Sequence, residues 1–226
     1  MTTVVSGARK GEFFRARVNV SRKMSASVER QSDLSSEKVS LRLRLRNDRR
    51  SLPAAERWAR DESAQRRIIT HSWFQQARMV ALYRAFDGET ATDLIESTAR
   101  EAGKTVLFAR VRQNAPLDFV EPVAWRFGRS GLPVPWGPSV VLGDADLIVV
   151  PGVAFAPDGH RLGMGGGHYD RTLRALSARA IGLAYELQRV SALPTAPWDI
   201  PVDALATDVA LYEFSIRESV SCSSIF

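Results

Sequence analysis

The sequence predicts an α/β fold, a three-layer α/β/α arrangement around a mainly parallel sheet in a single domain. Two observations predict it. From Met79 onward, short β-rich runs alternate with amphipathic helical stretches, the order that winds a parallel sheet between helices. Within that alternation Asp146–Val150 is almost wholly apolar, as a strand covered on both faces must be. In such sheets ligands gather at the carboxyl ends of the strands.

Residues 1–36 are rich in Ser, Arg and Val without sustained periodicity. They read as a disordered N-terminal extension, or as a start placed too early with Met24 as an internal one. Their first 23 residues are basic with Glu12 as the exception, which leaves a targeting role open. Lys38–Arg50 alternates Leu41, Leu43 and Leu45 with arginines, the period of a strand. Leu, Arg and Lys are strong helix formers, however, and Ser35 and Ser36 offer caps, so a helix is expected. Pro53 suits the first turn of a second helix over Ala54–Phe74, anchored by Trp58, Ile68 and Ile69.

Met79–Tyr83 reads as a strand. Thr92–Ala102 reads as a helix with Leu94, Ile95, Thr98 and Ala102 on one face and Gly103 past its end. Thr105–Val111 and Asp146–Val150 follow as strands, Tyr169–Ala178 as a helix, Ile181–Tyr185 as a strand and Val209–Phe214 as a last one. Residues 37–214 thus form the domain and 215–226 a tail.

The 226 residues are 45% hydrophobic and 25% charged, enough apolar material for a sizeable core. No stretch approaches the roughly 18 apolar residues of a membrane span. The single cysteine, Cys222, excludes an internal disulfide framework and a cysteine-rich zinc site, and fits a reducing, cytoplasmic setting. The net charge of +6 is uneven: residues 1–78 hold 18 Lys and Arg against 8 Asp and Glu, and the remainder 13 against 17. Such a basic segment suits a polyanion, or supplies a few cations to a phosphorylated ligand. Composition does not choose between these.

The chemistry concentrates in Asp146–Leu173. A buried strand leads through Pro151-Gly152 and a polar turn at Pro157-Asp158-Gly159 to Arg161-Leu-Gly-Met-Gly-Gly-Gly-His-Tyr-Asp-Arg171. Gly163, Gly165, Gly166 and Gly167 remove Cβ atoms, so backbone N–H groups can converge on an anion. The helix that opens after them adds unpaired N–H groups and its positive end. Arg161 and Arg171 flank the loop. The P-loop pattern fails for want of Lys-Ser or Lys-Thr, and the dinucleotide pattern fails at His168. Asp170 beside a phosphate would need an intervening cation such as Mg²⁺; it also suits a helix N-terminus on its own account.

Taken together, Val150-Pro-Gly-Val-Ala-Phe155 and the Arg161–Arg171 run closely resemble the signature of the 5-formyltetrahydrofolate cyclo-ligases, or 5,10-methenyltetrahydrofolate synthetases. Lys38-Val-Ser-Leu-Arg42, Phe86-Asp-Gly-Glu-Thr90, Gly103-Lys104, Ile181-Gly-Leu-Ala-Tyr185, Gln188 and Trp198-Asp-Ile-Pro-Val-Asp203 resemble further family segments in the same order. The resemblance spans about residues 37–214. It implies an enzyme that uses ATP and Mg²⁺ to cyclise 5-formyltetrahydrofolate, polyglutamylated forms included, to 5,10-methenyltetrahydrofolate, with release of ADP and phosphate. The γ-phosphoryl group would activate the formyl oxygen before N10 attacks.

By position, the resemblance implies that Lys38 and Arg42 contact ATP, as do Arg161, Leu162, Gly163, Met164, Gly165, Gly166, Gly167, His168 and Tyr169. Met164 to His168 also match the folate-contacting stretch, joined by Arg84 and Glu89. Asp170 and Asp199 match the magnesium-associated aspartates, and Arg161 and Asp170 are the expected catalytic pair. His168 stands where an aromatic Tyr or Phe is usual, and Ala156 where Asp commonly follows the Phe. A monomer is expected, with no membrane association. Nucleic acid is not the expected partner, since no DNA- or RNA-reading motif is present.

Overall fold

The computed structural model of the chain describes residues 34–128, 131–144 and 146–214. The expectations for residues 1–33, Cys222 and the 215–226 tail lie outside the described residues. The chain divides into two compact units between Leu41 and Arg42. Helix α1 covers residues 34–50, which decides for helix over strand. It is already formed at residue 34, so Ser35 and Ser36 lie within it rather than capping it.

In the second unit Pro53 directly precedes α2 (Ala54–Thr70), its carbonyl accepting the Arg57 N–H at 2.9 Å. The helix expected over Ala54–Phe74 is broken at His71, whose ψ of 144° leaves the helical region. The His71 ring then accepts the Trp73 N–H and caps a short α3 (Ser72–Gln76). Trp58 was expected to anchor this segment but is 71% exposed; the buried face is carried by Ala64, Gln65 and Ile68.

Strand β1 (Met79–Leu82) leads to α4 (Asp93–Glu101). Ile95 and Ala99 form the buried face of α4, and Ala102 falls past its end and is exposed. The chain leaves α4 through Gly103 at φ +71°, with Lys104 N–H on Ala99 O and Gly103 N–H on Arg100 O. This pairing satisfies the last carbonyls and needs a left-handed residue at its centre.

Strands β2 (Thr105–Arg110), β3 (Asp118–Val120), β4 (Ala124–Phe127), β5 (Pro133–Trp136), β6 (Leu147–Pro151), β7 (Ala154–Phe155) and β8 (Arg161–Leu162) follow. After them come α5 (His168–Ala175), β9 (Arg179–Leu183), a 3₁₀ turn at Glu186–Gln188, β10 (Ala204–Ala206) and β11 (Leu211–Glu213). Helix α5 ends three residues before the expected Ala178, and β9 starts two residues before the expected Ile181. The Arg179 N–H already pairs with Asp146 O, so the sheet claims the segment from there. The expected last strand is shortened to β11.

The main sheet runs β11-β10-β9-β6-β1-β2-β3. Its four inner pairings are parallel, and β10–β11 and β2–β3 close its edges antiparallel. Both faces are buried. Val80, Leu82, Val149 and Ile181 pack with Ile68 of α2 and Ile95 of α4; Ala81, Ile148, Val150 and Leu205 pack with Leu173 of α5. The alternation follows from the two-residue period of strands, and burying each Val, Leu or Ile contributes about 1.5–3 kcal/mol. No helix among the described residues is long and apolar enough to cross a membrane.

Candidate active site

Strand order changes direction between β1 and β6: β2 lies outward from one, β9 and β10 from the other. Loops leaving the carboxyl ends of two such strands diverge to opposite faces and open a crevice. Here those ends deliver the 84–90 segment after β1 and the Gly152 turn after β6.

The turn after β6 is built on close packing. A Cβ at Gly152 would lie 2.6 Å from the Phe155 ring, and one at Gly182 of β9 would lie 2.5 Å from it. The fully buried Phe155 is therefore wedged between two residues that must lack a side chain. Gln188 completes the turn, donating to Gly152 O at 2.8 Å and Val153 O at 3.1 Å while accepting the Tyr185 N–H.

The 84–90 segment is held by arginines of α1. Asp87 adopts φ +57° and Gly88 φ +75°. Arg46 Nε lies 2.7 Å from Asp87 Oδ2, and Arg50 pairs with Oδ1. Arg49 Nη2 donates to the Asp87 carbonyl at 2.8 Å, and its Nη1 reaches Gly152 O at 3.4 Å. Burial pushes the Asp87 carboxyl up, but the hydrogen bonds from Arg46 and Arg50 outweigh it and hold the group below its ordinary value.

The glycine loop follows β8. Arg42 Nε donates to Gly163 O at 2.8 Å. Gly165 has φ +102°, and Gly167, at φ +62°, precedes α5 with no side-chain cap, so the first amides of α5 have no side chain of their own at the cap. Arg161, its side chain 2% exposed, places Nη1 2.9 Å from Asp170 Oδ1 and 3.3 Å from Ile200 O. Ile200 N–H donates to the same Oδ1 at 3.2 Å, so both donors meet one carboxylate oxygen. Arg161 Nε is buried without a hydrogen-bond partner. Asp199 accepts the Ala196 N–H at 2.8 Å, and its charge opposes the lowering of the Arg42 pKa by burial.

Glu89 and Tyr169 bring the two sides of the crevice together. Burial pushes the Glu89 carboxyl up from 4.5 to about 7, against the opposing charge of Arg49 and the Phe86 N–H. The Tyr169 phenol is pushed up by burial and then by the Glu89 charge, and the Arg161 guanidinium lies 5.6 Å from its ring. Tyr83, also raised by burial and Glu89, donates to Thr90 O at 2.6 Å.

Of the residues expected from the sequence, Arg42, Glu89, Arg161, Asp170 and Asp199 thus surround the loop running from Leu162 to Tyr169. Lys38 belongs to the first unit. Arg84 is paired with Asp93 and Glu96 and set 4.6 Å from the rings of Phe108 and Trp125. Arg171 does not present its charge outward from the loop: it folds back onto Gly166 O at 2.8 Å and Ala115 O at 3.3 Å, with its Nη2 3.2 Å from His168 Nδ1. Sequence reasoning missed Arg46, Arg49 and Asp87. For the arginines the signal was present, because Arg42, Arg46, Arg49 and Arg50 recur at the i, i+4, i+7, i+8 spacing of one helix face.

The donor set fits a triphosphate with a divalent ion. Arg161 Nε is an unsatisfied buried cationic donor, and the open glycine backbone precedes a helix start. Among the described residues no three His, Cys, Asp or Glu side chains cluster as a metal cage. One or two carboxylates suit an ion that takes its other ligands from phosphate and water.

Residues 34–208 match the 5-formyltetrahydrofolate cyclo-ligase family. The chain belongs to that family. A 5-formyltetrahydrofolate cyclo-ligase of Haemophilus influenzae is 30% identical over 184 residues, covering 72% of this chain and 92% of its relative. That of Mycolicibacterium smegmatis is 32% identical over 186 residues, covering 75% and 93%. The solved 5,10-methenyltetrahydrofolate synthetase of Aquifex aeolicus superposes with a TM-score of 0.70 at 30% identity, over 81% of this chain and 95% of that one. The cyclo-ligase fold is therefore the α/β sheet described above, and this member is an enzyme of the ligase class.

Proposed function

We propose that the chain cyclises 5-formyltetrahydrofolate to 5,10-methenyltetrahydrofolate with conversion of ATP to ADP and phosphate. The observation that carries this reading is the Arg161–Asp170 pair at the glycine loop, set across the strand switch point from the partly buried Glu89 carboxyl.

A formamide oxygen is a poor leaving group. The γ-phosphoryl group passes to it, the N10 lone pair attacks the activated carbon to form the new C–N bond, N10 gives up its proton, and the C–O bond breaks to release phosphate. Such a transfer is accelerated chiefly by positioning and by neutralising spreading charge. Arg161 offers its guanidinium from a buried site, where a fixed charge acts most strongly. The loop from Leu162 to Tyr169 offers backbone donors, with Lys38 and Arg42 as further ATP contacts in the proposal. Met164 to His168, Glu89 and Arg84 take the folate side, Glu89 as a carboxylate accepting ligand N–H groups. Asp170 and Asp199 would hold a magnesium ion, which would supply neutralisation of the phosphate charge.

Residues 37–214 are the catalytic domain in this reading. The enzyme acts as a cytoplasmic monomer on 5-formyltetrahydrofolate and its polyglutamylated forms. Incubating the purified protein with 5-formyltetrahydrofolate, Mg²⁺ and ATP is expected to give rising absorbance of the methenyl product, and none when ATP is omitted. No product with all components present overturns the proposal.

A further inference from the structure

Arg49 is the largest fully buried side chain of the described residues, yet its hydrogen bonds fall short of what a buried guanidinium calls for. Nη2 has a good bond to Asp87 O at 2.8 Å; Nη1 has only a long one to Gly152 O at 3.4 Å, which Gln188 already occupies at 2.8 Å. Nε is buried with no partner. The nearest carboxylate, Asp87 Oδ2, lies 3.5 Å away and is closer to Arg46 at 2.7 Å. Burying a cation so incompletely satisfied is costly, and an interior packed for stability alone would favour an apolar side chain.

The position of that cation suggests a second role. Arg49 Nε lies 3.8 Å from where a Gly88 Cβ would stand, against the residue that precedes Glu89. Its two hydrogen-bonded carbonyls belong to the two sides of the crevice: Asp87 on the turn carrying Glu89, and Gly152 at the end of β6. The groups acting on Glu89 are Arg49 and Arg46 from α1, Asp87 and the Phe86 N–H of its own turn, Tyr83 after β1 and Tyr169 of α5. Among the charges Arg49 is the foremost one favouring the carboxylate.

Resting on the reading of Glu89 as a folate contact, we propose that Arg49 is a positioning residue that fixes the Glu89 turn against the β6 end and places a positive charge beside it, so that the substrate meets the Glu89 carboxyl group held in place. Removing the positive charge makes the carboxylate harder to form, so the ionised fraction at pH 7 falls. The KM for 5-formyltetrahydrofolate then rises, and the pH above which it stops improving moves upward. The nucleotide, held by other residues, is less affected.

The test uses the full-length protein and the Arg49→Gln and Arg49→Lys variants. The Glu89 carboxyl titration is followed by carbon NMR without substrate, and KM for folate and for ATP is measured from pH 6 to 9. In Arg49→Gln the Glu89 midpoint is expected to rise by about one pH unit, with about a fivefold higher folate KM at pH 7, since the ionised fraction there falls from about a half to about a tenth. That KM recovers toward pH 9, ATP KM changes little, and Arg49→Lys restores most of the effect. An unchanged Glu89 midpoint, or folate and ATP KM rising together with no pH recovery, overturns the proposal. Failure of the wild type to make product at all strikes the proposed reaction instead, and the substrate-free titration still decides the role of Arg49.

Discussion

The guanidinium of Arg161 and the carboxylate of Asp170 stand nine residues apart in the chain and 2.9 Å apart in space, with the glycine loop between them. The pair closes the loop at its base and orients it toward the crevice. Asp170→Asn keeps an acceptor for both Arg161 and Ile200 N–H but leaves the buried guanidinium without its counter-charge, so stability should fall by about 1–3 kcal/mol. Turnover should fall about 100-fold or more, because a charge at the reacting phosphates is lost. Arg161→Ala should lose turnover to a similar degree and also about 1–3 kcal/mol of stability, since it leaves Asp170 half-buried with one donor. Steady-state kinetics beside urea denaturation separates the two effects, and wild-type turnover in either variant refutes the assignment.

Asp87 combines a left-handed backbone with three arginine contacts. Asp87→Asn, which tolerates that backbone, should lose only the ionic part. Asp87→Ala loses both and should be the less stable by about 1–2 kcal/mol. The Asp87 pKa is depressed in the folded chain, so its stabilisation is present above the ordinary 3.8 and disappears as pH falls through the lower folded value. The Asn variant should lack that acid dependence in thermal melts between pH 5 and roughly 2.

Glu89 has the opposite sign. The unfolded chain releases this proton near 4.5 and the folded chain near 7. Between those values the folded state binds more protons, so stability declines as pH rises, and above about 7 the whole penalty is present. Glu89→Gln should therefore stabilise the protein at pH 8 relative to wild type by about 1–3 kcal/mol, and much less at pH 4. Melting curves at the two pH values that show equal shifts would argue against a buried carboxyl. The same variant should raise the folate KM.

The Phe155 wedge predicts a coupled pair. Gly182→Ala should cost about 1–3 kcal/mol through overpacking against the ring. Phe155→Leu also destabilises by itself, but the double variant should cost less than the two singles together. Additive losses in denaturant titration would mean that the ring is not what excludes the methyl group.

The alternation of buried strands and helices was legible because each element carries its own period. The Asp146–Val150 run and the Thr92–Ala102 helix were found on that basis, although the strand spans Leu147–Pro151 and Ala99 joins Ile95 on the buried helix face in place of Thr98 and Ala102. The break at His71 was not, because a side-chain cap and a local ψ decide it and neither alters hydrophobic spacing. The short strands β3, β4, β5, β7 and β8 were not legible either: β7 and β8 are two residues each, defined by their partners rather than by composition. Of the site, the glycine loop and Arg161 were visible as residue types. Arg49 was lost in a basic segment whose arginines look alike in one dimension.

By itself the sequence determined the α/β class, the glycine-rich loop and the family, since these rest on local periodicity and on contiguous motifs. Only the tertiary structure decided which arginines are internal and which face the crevice. It alone placed the Asp87–Glu89 turn opposite the loop of Gly163 to Gly167, because strand order is set by pairings between distant segments. The ionisation of Glu89 belongs to the same level: it depends on how much water and how many charges surround the carboxyl, and those neighbours come from α1, β1 and α5, brought together only by folding.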